Sequence, residues 1–237
     1  MDEKELKTSP KQRIVISAIA FVMLGSIIAS YAAIIINGGK SGNSGDSTIS
    51  QEKIEKYESE YYQKLAEFQA FTEDDFNKFS KYRSEVTAYN ETAANNGTVS
   101  TRDLVEGDGR ELGEADYDYY AYYIGWCADE TVFDSSFNSD ENPTGFTSAL
   151  DASNGLIEGW NAGVVGMRLN GIREITVAGE LAYGSSREIC GGYDKPLRFL
   201  VYAKEKTDDL VKVNSDVLLA FDKLRMAYYG IDYDEQY

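Results

Sequence analysis

The sequence predicts an α+β fold with a mainly antiparallel sheet. Between residues 101 and 205, short stretches that alternate in polarity or are continuously apolar are typical of strands, and only one short helical stretch separates them. A helical segment is predicted before these strands and an amphipathic helix after them. With 237 residues, of which 43% are hydrophobic, the chain can form one medium domain with extensions.

Charge and composition exclude several classes of function. The chain carries 40 acidic against 23 basic residues, which gives a formal net charge of −17. Nucleic acids and anionic membrane surfaces attract clustered cations, so binding to either is disfavoured and the charge favours solubility. The sequence has no histidine, which removes histidine-based metal sites and catalytic pairs of the Ser-His or Cys-His type.

The first part of the chain indicates attachment to a membrane. Residues 1–13 are polar and carry four cations, whereas residues 14–36 contain no charged residue. At about 1.5 Å per residue this apolar run is longer than the roughly 30 Å hydrocarbon core of a bilayer, so it predicts one transmembrane helix. A cleaved signal peptide is the alternative. Because only Lys40 follows closely, the positive-inside rule predicts a cytoplasmic N-terminus and an extracytoplasmic remainder at the cell membrane.

A linker and a helical segment follow the apolar run. Residues 37–50 are polar and rich in glycine and serine, and residues 51–96 show apolar positions at three- and four-residue steps. Thr72 resembles an N-cap, so the segment is either two helices or one kinked helix. The aromatic stripe either binds a partner or unfolded clients, or packs on the domain or on itself. The stripe consists of Ile54, Tyr57, Tyr61, Leu65, Phe68, Phe76, Phe79, Tyr82, Val86 and Tyr89.

The domain at residues 101–205 is predicted to begin with a strand at 103–106, which a glycine turn ends. A short, glycine-rich apolar helix at 156–167 carries Trp160. The C-terminal part, residues 206–237, combines an amphipathic helix with an acidic tail. Four further strands are predicted at 117–126, 131–133, 171–177 and 197–203.

The strand at 117–126 is the most distinctive of these, because it alternates and is rich in tyrosine. Side chains two positions apart lie on the same face of a strand. The alternation therefore predicts one face with Tyr119, Ala121 and Tyr123 and an opposite face with Tyr120, Tyr122 and Ile124.

Seven short motifs occur in this domain in a fixed order. They are Tyr123-Ile124-Gly125, Val132-Phe133-Asp134-Ser135-Ser136, Leu156-Ile157-Glu158-Gly159-Trp160, Gly166-Met167, Gly171-Ile172-Arg173, Glu180-Leu181-Ala182-Tyr183-Gly184 and Pro196-Leu197-Arg198-Phe199. Each motif is weak alone, but their order and spacing resemble the FKBP-type peptidyl-prolyl cis-trans isomerases, one of the immunophilin families. The resemblance covers roughly residues 104–204. It implies a five-stranded antiparallel half-barrel wrapped around the short helix that carries Trp160.

The resemblance also implies a site in which a proline ring lies on Trp160. Rotation about a peptide C–N bond has a barrier of roughly 18–20 kcal/mol, and the twisted amide is less polar than the planar one. An apolar aromatic site therefore favours the transition state without a metal or any other cofactor. The resemblance implies catalytic roles for Tyr123, Phe133, Asp134, Trp160, Tyr183 and Phe199, and substrate-binding roles for Phe146, Leu156, Ile157 and Ile189.

The resemblance implies proline-containing unfolded or exported polypeptides as partners. The aromatic stripe of the helices at 51–96 offers a surface for a further partner. Two rivals use the same fold: a chaperone or binding module with little isomerase activity, and a structural envelope protein. The aromatic residues are also ordinary core residues of such a fold, and Asp134 has the alternative role of capping a turn.

Some positions depart from the family pattern. The segment after Tyr183, residues 185–192, lacks the Ile-Pro-Pro pattern common there, and Ser139 stands about where some members carry an arginine that pairs with the pocket aspartate. Both departures bear on selectivity, rate and macrolide binding. Cys127 and Cys190 are the only cysteines, and outside the membrane they either form a disulfide or remain two buried thiols.

Overall fold

The computed structural model describes residues 49–139 and 142–235. The predicted transmembrane segment at 14–36, the tail before it and most of the linker after it lie outside the described residues. None of the helices that are described is long and apolar enough to cross a bilayer. The described helices are α1 (Gln51–Phe71), α2 (Glu73–Phe79), α3 (Glu91–Ala94), α4 (Glu158–Val164) and α5 (Asp208–Tyr228). The strands are β1 (Val99–Val105), β2 (Tyr120–Trp126), β3 (Val132–Ser135), β4 (Leu150–Asp151), β5 (Ile172–Val177) and β6 (Leu197–Lys204).

The strands form one antiparallel sheet in the order β1-β5-β6-β2-β3. The short strand β4 stands outside this order and pairs with β2. Strand β2 pairs with β6 along its whole length, from Tyr120 opposite Lys204 to Trp126 opposite Arg198. The predicted α+β fold with an antiparallel sheet and a C-terminal helix is confirmed. Strand β4 was not predicted, because two residues are too short to show a periodicity.

Both faces of the sheet are buried. Tyr119, Ala121 and Tyr123 belong to the cluster on one face, as the alternation predicts, and their neighbours along the chain belong to the cluster on the other. We call the first the inner cluster; it includes Trp160, Val164, Met167, Ile175, Val177, Leu197, Phe199 and Val201. The second is the outer cluster, which includes Phe68, Phe79, Tyr120, Tyr122, Ile124, Trp126, Phe137, Phe146, Leu200, Tyr202, Leu210 and Val217.

Helix α4 lies against β5 on the inner face, and two of its glycines allow the close approach. A Cβ atom on Gly159 would lie 2.1 Å from Cγ1 of Val177, and one on Gly163 would lie 2.4 Å from Cγ2 of Ile175. The helix is shorter than the predicted 156–167, because Ile157 is extended before it and Val165 leaves the helical conformation after it. The two glycines weaken the helix but allow it to lie close against the sheet.

Helices α1, α2 and α5 cover the outer face. Phe79 stacks on Phe137 with ring centroids 5.6 Å apart, and Phe146 stacks on Tyr122 at 3.9 Å. Helix α5 is fixed to the segment before β4, because the Asn214 side chain donates to the Ala149 carbonyl (3.0 Å) and accepts from its N–H (2.7 Å). The aromatic stripe thus packs on the domain, which is the second of its two interpretations.

The segment before the sheet contains separate helices, with the break at Thr72. The prediction that the Thr72 side chain caps the next helix is wrong. Instead of accepting a hydrogen bond from the start of α2, the Thr72 hydroxyl donates back to the Phe68 carbonyl over 2.9 Å. A threonine bonded to the preceding turn in this way ends a helix without capping the next.

We expect Phe79→Ala to lower the free energy of unfolding by about 3–5 kcal/mol, because it leaves a cavity among the rings of the outer cluster. Urea unfolding of the full-length chain in mild detergent measures this change. Phe71→Ala is the matched control: Phe71 is 49% exposed, so its removal should change stability by at most about 0.5 kcal/mol. Equal, small effects of both substitutions would show that α2 does not unfold together with the sheet.

Candidate functional site

Trp160 lies at the centre of the inner cluster and is only 2% exposed. Its indole Nε1–H donates to the hydroxyl oxygen of Tyr119 over 3.0 Å. The ring of Tyr123 meets the indole edge-on at 5.6 Å between centroids, and that of Phe199 does so at 5.2 Å. Edge-to-face contacts of this kind fix the relative orientation of aromatic rings, so Trp160 is held in one defined position.

Phe133 extends this aromatic arrangement from β3. Its ring meets Phe199 at 5.7 Å with an interplanar angle of 89°. Gly125 on β2 makes room for the pair, since a Cβ atom there would lie 2.6 Å from Cζ of Phe133 and 3.1 Å from Cε1 of Phe199. Gly125 belongs to one of the sequence motifs, but the sequence alone indicated no role for it. Only the paired strands show that a side chain at this position would collide with the two rings.

Asp134 lies at the edge of the cluster, opposite Gly125 in the β2–β3 pairing. The Tyr123 hydroxyl donates to its Oδ2 atom over 2.6 Å, while the carboxylate itself is exposed. Burial, followed by the bond to Asp134, raises the pKa of Tyr123 above its usual range. Asp134 is therefore a strand residue whose carboxylate is bonded to Tyr123, and not a residue that caps a turn.

The remaining predicted residues of the site lie around these rings. Leu156, Ile157, Tyr183 and Ile189 are partly buried and pack against the inner cluster. The Arg187 guanidinium lies 4.9 Å from the centre of the Tyr183 ring, a distance at which a cation is attracted to the ring face. No side chain caps α4 at Ile157, so no side-chain cap satisfies the first N–H groups of this helix.

Phe146 is the exception, and the prediction that it lines the site is corrected. It is fully buried in the outer cluster, between Tyr122 at 3.9 Å and Phe76 at 5.5 Å. The loop that carries it passes over the opposite face of the sheet from Trp160. A cavity of about 240 Å³ also lies on that opposite side, bordered by Ile124, Val132 and Phe137 among others.

The part of the chain that contains this site is similar to known proteins. A model of the FKBP-type peptidyl-prolyl cis-trans isomerase family matches residues 114–217. An FK506-binding protein of Neisseria meningitidis serogroup A is 31% identical over 109 residues, which are 46% of this chain and 94% of that protein. One from Streptomyces anulatus is 33% identical over 105 residues, 44% of this chain and 80% of that protein. The chain belongs to the FKBP family. A crystal structure of AtFKBP13 has 26% identity and a TM-score of 0.36, and the similarity covers 46% of this chain and 93% of that one.

In this FKBP domain Arg173 secures the end of α4, a role that sequence reasoning missed although the residue belongs to a motif. Its Nη1 atom donates to the carbonyls of Gly163 (3.0 Å) and Val165 (2.9 Å). Its Nε and Nη2 atoms donate to both carboxylate oxygens of Asp103 on β1, at 2.6 and 3.0 Å. A helix C-terminus presents unpaired carbonyls that a guanidinium can satisfy.

A disulfide secures the loop before β6 of the FKBP domain. Cys127 and Cys190 are joined, with their Cα atoms 5.5 Å apart. Of the two alternatives that the sequence left open, the structure contains the disulfide. It ties the segment that departs from the family pattern to the end of β2, and Ile189 and Gly192 exchange backbone hydrogen bonds next to it.

We expect replacement of both cysteines by serine to lower the free energy of unfolding by about 2–4 kcal/mol, because the bond closes a long loop in the unfolded chain. Urea unfolding of the full-length chain measures this change, and hydrogen exchange should rise at residues 185–195. A reducing agent provides the matched comparison: it should shift the wild-type midpoint by a similar amount and leave the double variant unchanged. A wild-type midpoint that does not respond to reduction contradicts this role.

Proposed function

We propose that this chain is a peptidyl-prolyl cis-trans isomerase that accelerates X-Pro rotation in exported or cell-surface polypeptides. The observation that carries the proposal is the edge-to-face arrangement of Tyr123 and Phe199 around Trp160, with Asp134 bonded to Tyr123 at its edge. Membership of the FKBP family supports the same activity. The names of the relatives describe those proteins; isomerase activity in this chain is our inference.

The physical basis is the loss of amide resonance during rotation. A planar amide is strongly solvated by water, whereas the twisted amide of the transition state is less polar. Surroundings from which water is excluded therefore raise the ground state relative to the transition state. The reaction forms and breaks no covalent bond, so it needs no proton donor or acceptor from the protein.

The side chains have distinct proposed roles. The proline ring rests on Trp160, and Phe133, Tyr123 and Phe199 surround it. Leu156 and Ile189 line the rim, while the Ile157 N–H, at the uncapped start of α4, donates to a substrate carbonyl. Tyr183 offers its hydroxyl to a second carbonyl. Asp134 provides a local negative field beside the rotating amide, which favours one orientation of its dipole.

This chain differs from the family pattern in how the aspartate is held. Ser139 stands about where some members carry a pairing arginine, and in this structure the Asp134 carboxylate accepts a hydrogen bond from the Tyr123 hydroxyl. A neutral hydroxyl leaves more of the carboxylate charge uncompensated than a guanidinium does. We therefore propose that the field of Asp134 acts more strongly on the substrate in this protein.

We expect the full-length chain to accelerate the proline-limited refolding of a test protein, and Phe133→Ala to reduce kcat/KM at least tenfold. A tenfold loss corresponds to about 1.4 kcal/mol of transition-state stabilisation, a modest fraction of what a buried aromatic ring contributes. Refolding kinetics followed by fluorescence, with near-UV circular dichroism to verify folding, measure the effect. Asp134→Asn keeps the shape of the side chain and tests the charge separately.

Phe71→Ala removes an exposed aromatic residue outside the site, and it should leave the rate unchanged. An inactive wild type, or a folded Phe133→Ala variant with unchanged activity, would refute the isomerase proposal. Suppression of aggregation without acceleration would favour the chaperone. A chaperone that grips clients through the stripe needs those side chains exposed, and Phe68 and Phe79 are buried.

We also propose that residues 14–36 anchor the protein in the cell membrane, with the N-terminus in the cytoplasm and the FKBP domain outside. The absence of charge over this run supports the anchor. The helices at 51–96 then connect the anchor to the sheet, and any partner of this segment would bind its exposed side.

Protease added to intact cells, or to spheroplasts where an outer membrane is present, should digest the FKBP domain and spare an epitope tag placed before residue 1, because a protease does not cross the bilayer. Blotting for the tag and the domain measures both. Lysed cells, in which both disappear, are the control. A protected domain contradicts the orientation, and a mature chain without the tag favours the cleaved signal peptide.

A further inference from the structure

Tyr119 lies immediately before β2 and is hydrogen-bonded to Trp160. Its side chain is fully buried in the inner cluster. Its hydroxyl oxygen accepts the hydrogen bond from Nε1 of Trp160 over 3.0 Å. Burial raises the pKa of Tyr119 to about 12, so the hydroxyl stays neutral throughout the physiological range and the bond does not depend on pH there.

The direction of the hydrogen bond between Trp160 and Tyr119 fixes the rotation of the indole ring about its side-chain bond. An N–H group prefers to point straight at its acceptor, and the indole N–H lies in the plane of the ring. An acceptor at a fixed place therefore selects one rotation of the ring about its side-chain bond. The contacts of Trp160 with Tyr123 and Phe199 depend on the same rotation, since they are edge-to-face.

We propose that Tyr119 is a positioning residue that sets the plane of Trp160 on which the proline ring rests. This inference rests on the proposed function, because it concerns the same site. Tyr119 acts only through Trp160 and does not touch the substrate. Its hydroxyl oxygen lies at the edge of the indole, where it accepts the Nε1–H bond, whereas the proline ring is proposed to rest on the indole face.

Tyr122 provides a matched control three residues along the chain. Its side chain is as completely buried as that of Tyr119, but it lies in the outer cluster. Its hydroxyl oxygen has no hydrogen-bond partner among the residues that the structure describes. Tyr122→Phe thus removes the same oxygen atom from the same strand region without removing a bond to Trp160.

The experiment compares five forms of the full-length chain: wild type, Tyr119→Phe, Tyr122→Phe, Trp160→Phe and the Tyr119→Phe/Trp160→Phe double variant. Catalysis and affinity are measured on a tetrapeptide with a central Leu-Pro bond. We expect Tyr119→Phe to lower kcat/KM roughly tenfold, since small misplacements of catalytic groups have effects of this size or larger. Tyr122→Phe should leave it unchanged.

The double variant separates positioning from general stabilisation. Once Trp160 lacks its N–H group, Tyr119 has nothing to orient, so Tyr119→Phe should cause no further loss in the Trp160→Phe background. The Nε1–H signal of Trp160 in the NMR spectrum should move upfield and exchange faster in Tyr119→Phe, and stay in place in Tyr122→Phe. Replacing the indole N–H by sulfur, with benzothienylalanine at position 160, breaks the bond from the other side and should reproduce the loss.

The outcomes distinguish this inference from the proposed function. An active wild type with an equally active Tyr119→Phe variant, or equal losses from Tyr119→Phe in both backgrounds, overturns the positioning role alone. A wild type that binds the tetrapeptide without accelerating its rotation overturns the isomerase, and the positioning role is then judged by the same comparison of affinities. A wild type that neither binds nor accelerates overturns both. If Tyr119→Phe does not fold, the benzothienylalanine protein decides the matter.

Discussion

The buried guanidinium of Arg173 is the interaction on which the position of α4 depends. A buried cation is costly unless every donor is satisfied, and Arg173, only 6% exposed, is satisfied by the carbonyls of Gly163 and Val165 and by Asp103. These partners lie at the end of α4 and on β1, while Arg173 itself lies on β5. One side chain thus joins three elements. A seven-residue helix with two glycines has little stability of its own. The hydrogen bonds of Arg173 therefore fix the position of α4 and, with it, that of Trp160.

The outer helices support the same site from the other side of the sheet. Strand β2 places Tyr123 in the inner cluster and Tyr122 in the outer one, so any shift of the strand would disturb both. Packing of Phe79 and Phe146 against the outer face resists such a shift, because closely packed interiors respond to displacement as a unit. The helical segment and the FKBP domain consequently form one structural body, although only the second matches the family.

Local patterns predicted the sheet and most of the side chains that the structure places around Trp160, and long-range packing decided the rest. The alternation of β2 gave the correct faces because the period of a strand is a local property. Trp160, Phe133 and Phe199 were found through motifs that each occupy a few consecutive residues. Phe146 was misplaced because its face depends on Phe76, which lies 70 residues earlier in the chain and joins the same outer cluster. The role of Tyr119 was also hidden, since its bond to Trp160 connects residues 41 positions apart.

The loop before β6 links the chemistry of the site to the proposed location of the protein. It carries Ile189 and lacks the Ile-Pro-Pro pattern that is common in the family. The disulfide between Cys127 and Cys190 ties this loop to the end of β2. Disulfides persist in oxidising compartments and are reduced in the cytosol. A domain with this bond is therefore suited to the extracytoplasmic location proposed above, which the charge distribution around residues 14–36 also favours.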